Sequence, residues 1–258
     1  MNATEIRDLI RKKYTEAVTG GTPCCGPAVE VAPAAPQASC CATTAETASA
    51  GSGARTSFGC GDPLSLMDVR AGQTVLDIGS GPGADALAAA RLVGPEGAVI
   101  GVDMTDAMLK RARQAASEAG LANVEFRRGD AEALPVRDTS VDWVISNCVV
   151  NLVPDKELAF REIFRVLRPG GRFSISDLVG ENLPPEILAD REKYCACIGG
   201  APSEEAYLDA ARRAGLEGIE VVDRFRWEAP ELEGSGGIVW SLKVTGRRPL
   251  EARNAPSH

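Results

Sequence analysis

The sequence predicts an α/β fold: an open, mostly parallel sheet with an antiparallel edge and helices on both faces. Three observations lead there. Short apolar runs alternate with segments of helical period between residues 74 and 179. A glycine-rich turn, VLDIGSGPGAD at 75–85, joins the first such run to the first of these helices. Two strand-like stretches, 219–228 and 237–246, follow one another near the end. Strands that alternate with helices favour parallel pairing, and a final antiparallel pair can complete such a sheet at its edge.

The elements follow in order. Residues 3–18 set Ile6, Leu9, Ile10, Tyr14, Ala17 and Val18 on one helical face, and Gly20-Gly21 ends that helix. Residues 19–57 are mostly Ala, Pro, Gly, Ser and Thr, with two adjacent pairs, Cys24-Cys25 and Cys40-Cys41. Such a stretch has little with which to build a core and reads as a mobile arm. TVLDI (74–78) reads as a strand, 83–93 as a helix, GAVIGVD (97–103) as a strand and 105–120 as a helix ended by Gly120. VEFRRGD (124–130) and VDWVIS (141–146) are further strands. Residues 155–167 form a helix with Phe160, Ile163, Phe164 and Leu167 on one side, and Pro169-Gly170-Gly171 turns the chain into RFSISDLV (172–179). Residues 184–215 look helical, with a break near Gly199-Gly200. The organisation expected is an N-terminal helix and arm over 1–61, a ligand-binding α/β domain over 62–180, and a C-terminal cap region with the last strands over 181–258.

Composition narrows the function. The 258 residues are 44% apolar and 25% charged, with a net charge of −8, which disfavours a broad nucleic-acid or anionic-membrane surface. The N-terminus lacks the apolar core of a secretion signal, and no window is apolar over a membrane-spanning length. A cytoplasmic protein is expected, monomeric, with no nucleic acid or membrane as partner. Eight Cys stand against one His, His258. A buried imidazole base or ligand is therefore not expected, and soft thiol chemistry is.

The glycine turn is the strongest motif. Gly79, Gly81 and Gly83 let the chain leave a strand tightly and approach a ligand, and the helix behind them offers unpaired N–H groups. Asp103, ending the second strand, can accept both ribose hydroxyls of a nucleotide or cap the next helix. Asp130, ending the third, can hold an adenine edge or form a turn. Together, D-x-G-x-G-x-G at 77–83, Asp103, Asp130 and RVLRPGG at 165–171 resemble the Rossmann-like class I S-adenosylmethionine-dependent methyltransferases; a dinucleotide site would have G-x-G-x-x-G spacing. The resemblance implies S-adenosylmethionine as cofactor. It implies that Asp77 lies near the methionine end, that Gly79, Gly81 and Gly83 pack beneath the cofactor, and that Asp103 with Met104 meets the ribose. Asp130, Ala131 and Asn147 would frame adenine and methionine.

The strand-four loop, where an acceptor meets the methyl group in that family, carries Cys148. It has neither the [DN]-P-P-[YF] motif of DNA N-methyltransferases nor a His to activate a hydroxyl. Arsenic(III) suits these residues: it is thiophilic, and when bound by three sulfurs it keeps a lone pair that can attack in line. GCGDP around Cys60, SNCVVNL around Cys148 and YCACIGGA around Cys197 resemble the arsenite methyltransferase family, across most of residues 55–215. The resemblance implies that Cys60, Cys148 and Cys197 bind As(III), that arsenite and methylated arsenite are substrates, and that detoxification is the purpose. It further implies a thiol reductant of glutathione or thioredoxin type, with Cys24, Cys25, Cys40 and Cys41 as accessory thiols. Cys195 falls where the family needs no thiol, and Asn151 reads as a turn residue. Two other readings remain at this point: methylation of a quinone- or sterol-like organic acceptor, and a non-catalytic thiol-based metalloid binder.

Overall fold

The computed structural model describes residues 1–20 and 62–250. Expectations for the arm and its four cysteines, for Cys60 and for His258 lie outside the described residues. Helix α1 (Ala3–Gly20) is opened by a reciprocal cap in which Asn2 Oδ1 accepts from the Glu5 amide at 2.9 Å and Glu5 Oε2 from the Asn2 amide at 3.1 Å. The α/β body runs β1 (Thr74–Ile78), α2 (Ala84–Val93), β2 (Ala98–Asp103), α3 (Asp106–Glu118), β3 (Val124–Arg128), β4 (Val141–Asn147), α4 (Lys156–Val166) and β5 (Leu167–Glu181). After it come α5 (Pro185–Ala189), α6 (Arg191–Cys195), α7 (Glu204–Arg213), β6 (Glu217–Trp227) and β7 (Ile238–Arg247).

One seven-stranded sheet has the order β3-β2-β1-β4-β5-β7-β6. The first five strands pair in parallel, and β7 runs antiparallel to both β5 and β6. The antiparallel edge is thus as predicted, with β7 inserted between β5 and β6. β5 begins at Leu167, earlier than the expected 172, because Leu167 pairs with Val141 across an irregularity in β4. A short 3-10 turn, Pro230–Leu232, lies between β6 and β7 in place of a simple turn.

Side-chain alternation along the strands divides the core into two layers. Leu76, Ile78, Val144 and Ile175 face α4 and α7, where Phe160 meets Tyr207 edge-on with ring centroids 5.3 Å apart. Val75, Val99, Trp143 and Ile145 face the small residues of α2 and α3, including Ala86, Ala90 and Ala112. A third apolar cluster joins Ile6 and Ile10 of α1 to Leu178, Ile187, Tyr194 and the three described cysteines, Cys148, Cys195 and Cys197. α1 is thereby attached over the carboxyl ends of the strands. Among the described residues, no helix is long and apolar enough to cross a membrane.

Phe160 is fully buried between Phe173 and Tyr207. Phe160→Ala should lower unfolding free energy by about 3–5 kcal/mol in urea titrations; a loss below about 1 kcal/mol would contradict this packing.

Candidate functional site

The chain leaves β1 toward β2 and β3 and later returns to β4 on the other side, so the strand order reverses between β1 and β4. Open α/β sheets bind ligands at the carboxyl ends flanking such a point. Ile78 pairs with Ser146 there, which brings the glycine turn alongside Asn147 and Cys148. Gly79 has φ 73°, and a Cβ on it would overlap Val149 Cγ2. The missing side chain lets the β4 loop close on the turn.

A cleft opens at this point. Its lining includes Asp77, Gly79, Gly81, Asp103, Met104, Asp130, Ala131, Asn147 and Cys148, which brings together nearly all the predicted cofactor residues that are described. Gly83 is the residue before α2, with φ 94°, and its missing Cβ leaves room for Phe126 and Ala112. Asp103 Oδ2 accepts from the Gly81 amide at 3.0 Å and Oδ1 from the Thr105 amide at 2.8 Å, so its carboxylate is held at the edge of β2. Asn147 Nδ2 donates to Asp85 Oδ2 at 3.3 Å.

Three carboxylates, Asp77, Asp85 and Asp103, converge on the cleft. Burial, and then the charges of Asp85 and Asp103, push the Asp77 carboxyl well above the usual range; burial also raises Asp103. An acidic, desolvated wall is a poor place for an anion and a good one for a cation. S-adenosylmethionine, which carries an ammonium and a sulfonium, is a cation of the kind such a wall suits.

Residues that the sequence reading missed complete the cleft. Arg7, Ile10 and Tyr14, at i, i+3 and i+7 of α1, line it from above. Arg7 bonds Glu132 and pairs with Asp130 at 2.9 Å, so the carboxylate expected to frame adenine also anchors α1. Helical spacing could have revealed Arg7, but a charge on that face reads as solvated. Glu132 Oε1 also accepts from the Asp155 amide at 2.8 Å.

Cys148 and Cys197 are 49 positions apart in sequence, yet the Cys197 thiol donates to the Cys148 carbonyl at 3.5 Å. Both sit in the left-handed region, with φ 57° and 67°. For non-glycine residues this costs about 1–3 kcal/mol each and persists only where the surroundings enforce it. Cys195 and Cys197 are thiols, whereas Cys148 is disulfide-bonded, which differs from the thiolate expected of it. Burial pushes the Cys195 thiol up, partly offset by Lys13 and Arg191. Burial, with the nearby Glu132, also pushes the Tyr194 hydroxyl up to about 12, and it donates to the Leu152 carbonyl at 3.0 Å. Asn151, expected as a turn residue, is fully buried and donates to the Cys197 carbonyl at 2.9 Å.

A family model described as a methyltransferase domain matches residues 70–215. An arsenite methyltransferase of Halobacterium salinarum is 39% identical over 95% of this chain and 67% of its own length. One from Aquipseudomonas alcaligenes is 41% identical over 64% of this chain, which spans 50% of that relative. A demethylmenaquinone methyltransferase of Listeria monocytogenes is 39% identical over 48% of this chain and 52% of its own. Among solved structures, an arsenic(III) S-adenosylmethionine methyltransferase from Chlamydomonas reinhardtii superposes with a TM-score of 0.67, at 33% identity over 74% of this chain and 68% of that one.

The raised Asp77 carboxyl gives a signed pH prediction. A bound cation favours the ionised form, so cofactor affinity should fall as pH drops through the raised range of the carboxyl. Calorimetric titration with S-adenosylmethionine should show that slope, and Asp77→Asn should flatten the profile and bind more weakly at its alkaline end. A pH-independent wild type would contradict it.

Proposed function

This chain belongs to the arsenite methyltransferase family of S-adenosylmethionine-dependent enzymes, and from that premise we propose that it methylates As(III) held by cysteine thiolates. The observation that carries the reading is the meeting of Cys148, on the wall of the cofactor cleft, with Cys197 from a distant loop. Cys60 would be the third ligand. Arsenite and methylated arsenite are the substrates on this reading, and detoxification is the use.

S-adenosylmethionine supplies an electrophilic methyl group whose leaving atom is a neutral sulfide. The chain's part is placement. Asp77 and its neighbouring carboxylates offer countercharge to the cationic end. The glycine turn and Asp103 fix the nucleoside side. The thiolates hold arsenic with its lone pair directed at the methyl carbon, and no protein base is needed because no proton leaves the nucleophile. The new As–C bond takes the arsenic lone pair, and the broken S–C pair stays on sulfur. Arsenic thus goes formally from III to V, and two electrons from a pair of thiols, oxidised to a disulfide, restore As(III).

A disulfide-bonded Cys148 has no thiolate to offer, so a reductant of glutathione or thioredoxin type would have to open it before arsenite binds. Cys24, Cys25, Cys40 and Cys41 are candidates for relaying such exchange. Burial pushes the Cys195 thiol up, which disfavours the thiolate that a ligand needs. An organic acceptor is the second reading, favoured by the menaquinone-type relative, whose similarity extends over about half of the chain.

The test is to incubate protein, arsenite, S-adenosylmethionine and a dithiol reductant, then separate and count methylated arsenicals. Turnover should be lost by a factor on the order of a hundred in Cys148→Ser and Cys197→Ser. Methylation of an organic acceptor that survives Cys148→Ser, with no arsenic product, would reverse the assignment. Cys60→Ser should lose arsenite methylation yet keep methylarsenite methylation, because methylarsenite has only two positions for thiolates. Equal loss with both substrates would contradict that division.

A further inference from the structure

Beyond the ligands themselves, the structure contains a buried polar group that no step of the proposed chemistry uses. We propose that Asn151, held by Asp177 and Tyr207, is a positioning residue that fixes the Cys197 loop against Cys148 and so sets the separation of the two thiols once Cys148 is reduced; this rests on reading those cysteines as arsenic ligands.

The connections are specific. The Asn151 amide nitrogen of the backbone donates to Asp177 Oδ2 at 3.0 Å, and the Tyr207 hydroxyl donates to the same oxygen at 2.6 Å. With its backbone held, Asn151 directs its Nδ2 to the Cys197 carbonyl at 2.9 Å and to the Leu178 carbonyl at 3.4 Å. The Cys148 amide donates to the Ser176 carbonyl at 2.8 Å. Both cysteines are therefore referred to consecutive residues of β5, Cys148 through Ser176 and Cys197 through Asn151. Gly200 completes the fit: a Cβ there would lie 2.9 Å from the Asn151 carbonyl oxygen and 3.1 Å from the Tyr194 ring.

Stability alone does not account for this group. Asn151, Ser176 and Asp177 are almost wholly buried. Asn151 Oδ1, Ser176 Oγ and Asp177 Oδ1 have no hydrogen-bond partner among the described residues. Burial also pushes the Asp177 carboxyl up to about 7, against opposing hydrogen bonds from Tyr207 and Asn151. Unsatisfied buried polar atoms are costly, and apolar side chains of similar size would hold these elements together more favourably. What apolar residues cannot do is direct a donor at one carbonyl of a strained, left-handed cysteine. Two thiols held at a fixed separation bind a shared atom with less loss of freedom than two mobile ones.

The test uses full-length reduced protein in which Cys24, Cys25, Cys40, Cys41, Cys60 and Cys195 are Ser, leaving Cys148 and Cys197. Dibromobimane, which fluoresces once it has joined two neighbouring thiols, reports their separation without arsenic. Arsenite affinity is read from near-ultraviolet arsenic–thiolate absorption, and cofactor affinity by calorimetry. Asn151→Ala should slow bridging and weaken arsenite binding about tenfold each, as for loss of a buried hydrogen bond, with S-adenosylmethionine affinity unchanged. Tyr207→Phe should shift the first two in the same direction by less. Unchanged bridging in Asn151→Ala overturns the inference, and so does slowed bridging accompanied by equal loss of cofactor affinity, which is general disruption. If Asn151→Ala does not fold, unchanged bridging in Tyr207→Phe overturns it. Bridging that depends on Asn151, in a protein that binds no arsenite even with Cys60 retained, supports the positioning role and removes the arsenic reading instead.

Discussion

The close approach of the β4 loop to the glycine turn is the contact on which the rest of the site depends. It is possible because Gly79 carries no side chain where Val149 packs. Parallel pairing of β1 with β4 sets the two segments side by side, and the reversal of strand order leaves the space above them open. From that contact follow the positions of Asn147, at the carboxylate wall, and of Cys148, one residue further on. On the proposed reading, a methyl donor on the turn and an acceptor held by the loop would be neighbours.

Two kinds of buried polarity surround this contact, and they act differently. On one side of the cleft, Asp77, Asp85 and Asp103 are crowded and desolvated, a cost that a bound cation would offset. Beside Cys148 and Cys197, Asn151, Ser176, Asp177 and Tyr207 form a buried polar network that ties two loops to β5. α1 spans both regions. Arg7 joins it to Asp130 and Glu132 beside the cleft, and Lys13 bonds Glu192 at 3.2 Å on α6, next to the thiols. A helix fixed at both places covers the cofactor side and the thiol side together.

The sheet was legible in the sequence because its strands are short apolar runs and its helices have clear stripes, as at Phe160 and Ile163. The glycine turn and Asp103 were legible because backbone requirements leave few residue choices there. Asn151 and Asp177 were not, since a polar residue inside VVNLV or SISDLV reads as a turn or a solvent-facing position until the packing partner is known. Arg7 was hidden in the same way, as its partners Asp130 and Glu132 lie over a hundred positions away. The insertion of β7 between β5 and β6 depends on tertiary pairing that alternation cannot encode. Cysteine spacing could not show that Cys148 and Cys197 meet; their local motifs suggested it, and the hydrogen bond between their loops gives the suggestion a physical form.

The central claim is that thiolates from separate loops converge on one arsenic atom beside the cofactor cleft. Arsenic K-edge X-ray absorption on fully reduced protein loaded with one equivalent of arsenite tests it most directly. The account predicts a first shell of sulfur alone, with oxygen entering when either Cys148 or Cys197 is replaced by Ser. A shell unchanged by both replacements, or one dominated by oxygen in the unaltered protein, would contradict it.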